Sequence, residues 1–183
     1  RCVTDPTTAS RTSLMNLSTC TWDAELCQLF GVPPECLPEI VSTAQVLGHW
    51  QGIPVSATCV DQQAALYGHG CRHVGDGKIT FGTGAFALAV AGSSRPSTST
   101  TQGGAINATL AWQLGQHPHM YAIEGGVYNA ASALNWAKQL GLFHDYAEIN
   151  HFNAPPAISR GLAFVPALSG LACPHWDRQA AGL

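Results

Sequence analysis

Two short stretches carry residue types that could do chemistry. Asp61-Gln62-Gln63 follows the β-rich run Ile53–Val60 and opens a helical pattern through Gly68. A carboxylate placed off the carboxyl end of a strand faces the usual ligand side of an α/β sheet, where it could accept a proton from a substrate hydroxyl during phosphoryl transfer. The same residue is also a favourable helix opener with no ligand at all. The second stretch, Gly82-Thr83-Gly84, joins two alternating runs, Lys78–Phe81 and Phe86–Ala91. Glycines there would let backbone N–H groups approach anionic oxygens, with the threonine hydroxyl as an extra donor. A bare hairpin turn explains the same residues, and a dinucleotide fingerprint fits poorly, because a strand rather than a helix follows.

Other candidates are weaker. His69-Gly70-Cys71-Arg72-His73 offers three potential metal ligands within one loop, too close together to close a tetrahedral site without a fourth from elsewhere. No Gly-x-Ser-x-Gly elbow occurs.

The elements that must position these residues read as follows. Thr21 or Asp23 caps a short helix with Leu26, Leu29 and Phe30 on one side, stopped by Gly31, and prolines 33, 34 and 38 bracket a further turn. The remainder of the first fifty residues reads as loop. Ser93–Thr101 reads as an exposed loop, Thr109–Leu114 and His119–Ile123 as strands, Val127–Leu140 as a helix ending at Gly141, and Leu162–Leu168 as a last buried strand. The best domain boundary lies between Gly75 and Lys78.

Composition bounds the function. The chain has 183 residues, 8 basic and 11 acidic, is 46% hydrophobic and 10% charged, and carries a net charge of −3. This excludes disorder, and with Lys78 and Lys138 as its two lysines it lacks the electrostatic footprint of a nucleic-acid binder. The apolar stretch Ala85–Ala91 falls far short of the ~20 residues a membrane span needs. Seven cysteines, odd in number and without a Cys-x-x-Cys pair, fit a reducing, cytoplasmic setting. The chain opens without methionine, and its low charge suggests faces covered by more protein, so it reads as an excised piece.

Seven motifs then fall in one order: Thr4-Asp5-Pro6-Thr7-Thr8-Ala9-Ser10-Arg11-Thr12, Trp22-Asp23, Leu37-Pro38-Glu39, Asp61-Gln62-Gln63-Ala64-Ala65-Leu66-Tyr67-Gly68, Lys78-Ile79-Thr80-Phe81-Gly82-Thr83-Gly84-Ala85-Phe86, Tyr121-Ala122-Ile123-Glu124-Gly125, and Phe164-Val165-Pro166-Ala167-Leu168-Ser169-Gly170-Leu171 with Pro174-His175-Trp176-Asp177. This order resembles the FGGY carbohydrate kinases, and its opening is most similar to the glycerol kinase branch. The resemblance implies an α/β, actin-like ATPase (ribonuclease H-like) fold, with residues 1–77 from the end of the first, substrate domain and 78–183 from the start of the second, nucleotide domain.

It further implies ATP and Mg2+ as cofactors and a small polyol or sugar as substrate. Asp61 resembles the catalytic base and a magnesium neighbour, Gln62 a ligand for substrate hydroxyls, and Phe86 the apolar wall against the polyol. Gly82, Thr83 and Gly84 resemble the phosphate contact, and Ala131 and Asn135 stand at nucleotide positions. The chain departs from the family pattern at Val60, Ala131 (each for glycine), Thr8 (for asparagine) and Asn135 (for glutamine). The implied activity is glycerol kinase-like. A kinase for another polyol or pentulose, and a kinase-like nucleotide-binding regulator without turnover, are the alternatives. The implied partners are the substrate and the remainder of the chain, without nucleic acid or membrane, and homo-oligomerisation is left open.

Overall fold

The computed structural model describes residues 2–97, 105–151 and 154–181. Its elements, in chain order, are β1 (Val3–Thr4), α1 (Pro6–Ala9), β2 (Met15–Asn16), β3 (Thr21–Trp22), α2 (Ala24–Phe30), β4 (Glu39–Ile40), β5 (Ala44–Trp50), β6 (Ile53–Ala57), α3 (Asp61–Gly68), β7 (Gly77–Phe81), β8 (Ala85–Gly92), β9 (Asn107–Trp112), β10 (Met120–Val127) and α4 (Ala131–Gln139). A four-stranded sheet runs in the order β7-β8-β10-β9, and three two-stranded sheets pair β1 with β4, β2 with β3, and β5 with β6. By their internal contacts the residues form two units. One comprises Arg1–Lys78, Ala87–Ser99 and Ile106–Glu124, the other Ile79–Phe86, Thr100–Ala105 and Gly125–Leu183.

In the first unit, the sheet is coated on both faces. Successive strand residues point to opposite sides, so the paired Leu110 and Tyr121 pack with Ala9, Met15 and Cys20, whereas Ala111 and Ala122 join Leu66, Cys71, Leu88 and Val90 under α3. Helix α3 buries Gln63 and Leu66, one turn apart on one face. The Gln63 Nε2 donates to the Leu110 carbonyl at 3.1 Å. This bond locks the start of the helix onto β9.

Several short elements follow their local signals. Asp23 caps α2 by accepting the Glu25 and Leu26 amides, and Gly31 ends it in the left-handed region at φ 66°. Its buried residue is Cys27, however, while Leu29 and Phe30 are exposed. The turn bracketed by prolines is a 3-10 turn at Pro34–Cys36. Strand β5 occupies a stretch expected to be loop. It forms a hairpin with β6 through Gln51 and Gly52, both at positive φ (48° and 83°), the backbone that matches strand twist in a two-residue turn. The strand expected over Ile53–Val60 ends at Ala57, where the chain leaves the ladder: the Thr58 amide turns to the Thr43 carbonyl and the Val60 amide to the Thr7 hydroxyl.

Two expectations in the second unit are corrected. The helix expected from Val127 begins at Ala131, since Val127 still belongs to β10. Leu162–Leu168 is not a buried strand: Leu162, Phe164 and Val165 are each exposed by more than 60%, and the stretch is irregular. An apolar run needs a ladder partner to become a strand, and here its backbone closes on itself, with Ala167 donating to Val165 and Gly170 to Ala167. Of the expected loop Ser93–Thr101, residues 93–97 are non-ladder and exposed or nearly so, and 98–101 lie outside the described residues.

Candidate functional site

Asp61 is the first residue of α3, exposed, with Oδ1 accepting its neighbour's amide, Gln62 N, at 2.7 Å. Beside it, the Lys78 Nζ donates to the Gln62 Oε1 at 2.5 Å. A lysine ammonium has donors only, so the oxygen of the Gln62 amide is the atom turned toward Lys78 and the NH2 group is turned away. The N–H donors of Gln62 are therefore on the side away from Lys78. Lys78 is buried, and burial pulls its ammonium below the ordinary value while the charge of Asp61 pulls it back up. Asp61, Gln62 and Lys78 form one constellation within the first unit.

The glycine turn lies in the second unit. Its Gly82 N–H donates to the Gly84 carbonyl at 2.8 Å, so this amide closes the turn and is not directed at a ligand. The outer carbonyls hold the start of α4: Thr83 O accepts the Ala130 amide (2.8 Å), the Ser132 amide (3.2 Å) and the Ser132 hydroxyl (2.9 Å), and Gly82 O accepts the Ala131 amide (3.1 Å). Gly84 has no room for a side chain, because a Cβ there would overlap the Val127 carbonyl oxygen and stand 3.0 Å from that of Tyr128. The Thr83 side chain is exposed.

Ala131 and Asn135 lie four residues apart on one face of α4, both exposed. The Asn135 Oδ1 accepts the Tyr146 hydroxyl at 2.6 Å, which leaves its NH2 as the group offered outward. Phe86 is 49% exposed, and its ring lies against Gly126, where a Cβ would come within 2.9 Å of the Phe86 Cδ1. The ring thus presents one apolar face and rests its other on bare backbone.

The donor set suits a hard cation shared with phosphate. Among the described residues no group of three His, Cys, Asp or Glu side chains gathers around a point. Asp61 can supply the single carboxylate that magnesium takes when phosphate oxygens and waters complete its shell. The His69–His73 loop turns to other work, with Arg72 over the Tyr67 ring at 4.6 Å and His73 Nδ1 3.3 Å from Asp76. All seven cysteines are free thiols, and among the described residues no helix is long and apolar enough to cross a membrane.

Lys78 was legible as the sole charge in an alternating run, yet only the fold shows that it reaches Gln62. Asp5 and Thr7 carried a cap signal, Asp-Pro-Thr-Thr, with proline at the first helical position.

Residues 1–68 match the N-terminal domain model of the FGGY family of carbohydrate kinases. The chain is 40% identical to a glycerol kinase of Geobacter sp. (strain M21) and 42% identical to one of Citrifermentans bemidjiense, in each case over 99% of its own length. It spans 37% of the length of these curated relatives. Among solved structures, it is similar to Plasmodium falciparum glycerol kinase with ADP (TM-score 0.84, 30% identity, 99% of this chain and 37% of that one). A ligand-bound xylulose kinase from Lactobacillus acidophilus is also similar (TM-score 0.76, 25% identity, 99% and 38%). The fold is that of these kinases, the actin-like ATPase fold, and the chain is similar to FGGY carbohydrate kinases over nearly its whole length, with the family's N-terminal domain matched at residues 1–68.

Proposed function

We propose that the whole protein containing these residues transfers the γ-phosphoryl group of ATP to a hydroxyl of a small polyol, with glycerol the leading substrate. The observation that carries this reading is the Asp61 carboxylate, exposed at the first turn of α3 beside an amide whose N–H groups Lys78 turns outward. Asp61 accepts the proton of the substrate hydroxyl as that oxygen attacks phosphorus, and Gln62 donates to a substrate oxygen to orient it. Phe86 covers the carbon chain, and Thr83 contributes its hydroxyl toward phosphate. Ala131 and Asn135 border the nucleotide. Magnesium ATP, when bound beside Asp61, supplies the phosphoryl group and the neutralising charge.

In this reading residues 1–77 belong to the substrate-binding domain and 78–183 to the nucleotide-binding domain, with the remainder of the chain completing the site. The identities of 40–42% to glycerol kinases support glycerol over a pentulose. A second reading, a nucleotide-binding regulator without turnover, draws on Asn135, whose carbonyl is occupied by Tyr146.

The test is ATP consumption by the full-length protein against a panel of polyols, pentuloses and gluconate. Turnover with glycerol is expected. Turnover only with a pentulose would replace the substrate, and ATP binding without turnover on any member would favour the regulator.

A further inference from the structure

The Asp5 carboxylate is fully buried and accepts five hydrogen bonds. Its Oδ1 takes the Thr8 amide (3.1 Å) and the Thr8 hydroxyl (2.7 Å). Its Oδ2 takes the Thr7 amide (3.1 Å), the Thr7 hydroxyl (2.8 Å) and the Thr43 hydroxyl (3.0 Å). Capping a four-residue helix requires only the two amides. The three hydroxyls are beyond what a cap needs, and two of them lead elsewhere.

A hydroxyl has one hydrogen. Because Asp5 accepts only, Thr7 and Thr43 spend their hydrogens on it and must present lone pairs outward. The Thr7 Oγ1 accepts the Val60 amide at 2.9 Å, the Thr43 Oγ1 accepts the Gln113 amide at 3.0 Å, and the Thr43 carbonyl accepts the Thr58 amide at 3.0 Å. Val60 is the residue immediately before Asp61, and its own carbonyl begins the hydrogen bonding of α3 through the Ala64 amide at 2.8 Å.

We propose that Asp5 is a positioning residue: it orients the Thr7 hydroxyl that holds the Val60 amide and anchors Thr43, whose backbone carbonyl holds the Thr58 amide, and so fixes where the Asp61 carboxylate stands. This rests on the reading of Asp61 as the proton acceptor. The segment has no strand ladder and α3 has no side-chain cap of its own, so this buried carboxylate takes the place of both. An amide at position 5 with its NH2 in place of Oδ2 would have nearly the same shape but would confront Thr7 and Thr43 with N–H donors. The Thr7 hydrogen would then turn out against the Val60 N–H.

The experiment compares Asp5→Asn, Thr7→Val, Thr7→Ser and Asp61→Asn in the full-length protein, reading kcat, both KM values and hydrogen exchange at the Val60 amide. Misplacement of a reacting group by about 1 Å can cost on the order of 10²-fold. Thr7→Val is therefore expected to lower kcat by about 10-fold or more, with KM for ATP within about 2-fold, and to speed Val60 exchange. Thr7→Ser restores both, which a loss of general packing would not explain. Unchanged kcat in Thr7→Val beside an inactive Asp61→Asn would overturn the positioning role. An active Asp61→Asn would instead overturn the base assignment, and Val60 exchange would still decide the tie. Should the Asp5→Asn and Thr7→Val chains fail to fold, exchange in the unaltered protein decides: a protected Val60 amide supports the tie, and exchange as fast as an open loop overturns it.

Discussion

Two helix starts, that of α3 in the first unit and that of α4 in the second, are held in opposite ways. The start of α3 is fixed by side chains: Thr7 on the Val60 amide, Gln63 on the Leu110 carbonyl, Lys78 on the Gln62 amide oxygen. The start of α4 is fixed mainly by backbone, since the carbonyls of Gly82 and Thr83 receive the amides of residues 130, 131 and 132. Side-chain anchoring makes the first depend on residue identity at distant places in the chain. Backbone anchoring makes the second depend on the absence of side chains, above all at Gly84.

The sharpest way to break this contrast is Gly84→Ala. Its Cβ would run into two backbone carbonyls that cannot swing aside, an overpacking of the kind that costs about 1–3 kcal/mol or more. Thermal unfolding of the full-length protein should shift down, and ATP should no longer raise the transition. Gly52→Ala is the contrasting control, with open space around its Cβ and only the positive-φ strain of about 1 kcal/mol to bear. Equal losses from the two would remove the steric basis of the comparison.

A smaller effect is expected from Gln62→Glu. The carboxylate keeps an acceptor for Lys78 but withdraws the outward N–H donors, so KM for the polyol should rise by about 10-fold, the worth of a hydrogen bond of roughly 1–1.5 kcal/mol. An unchanged KM would mean that Gln62 only tethers Lys78. Thr83→Val removes a hydroxyl and leaves the carbonyl network to α4 intact. Nucleotide affinity should fall by about 3–10-fold with polyol affinity untouched; a loss confined to the polyol would place the wrong ligand over this turn.

The least effect concerns acid. The Nδ1 of His119 is buried without a hydrogen-bond partner among the described residues, and burial lowers the pKa of this imidazole below 6.5. Between that lowered value and 6.5 the unfolded chain binds a proton that the folded one refuses, so stability falls as pH drops through this window. His119→Phe should flatten that part of a stability-against-pH profile, and an unaltered slope would assign the acid sensitivity elsewhere.

Helix α3 was legible from residue types alone, because its bounds, Asp61 and Gly68, are marked by an acid at the start and a glycine at the end. The glycine turn between β7 and β8 was legible for the same local reason. What escaped is non-local. Strand β5 has no signal of its own until β6 pairs with it, and Leu162–Leu168 has strand composition but no partner among the described residues. The site shows the same division: Asp61, Gln62 and Thr83 stand in recognisable motifs, whereas Asp5 and Lys78 acquire their roles through contacts with residues 43, 60 and 62 that only folding creates.

Proton acceptance by Asp61 in a phosphoryl transfer can be read by phosphorus NMR of the full-length protein with magnesium ATP and glycerol. A phosphomonoester signal growing with ADP is expected in the unaltered protein. In Asp61→Asn the rate should be lower by about 10²-fold or more with ATP still bound, the scale of a lost general base. Equal product formation by the two proteins would contradict it.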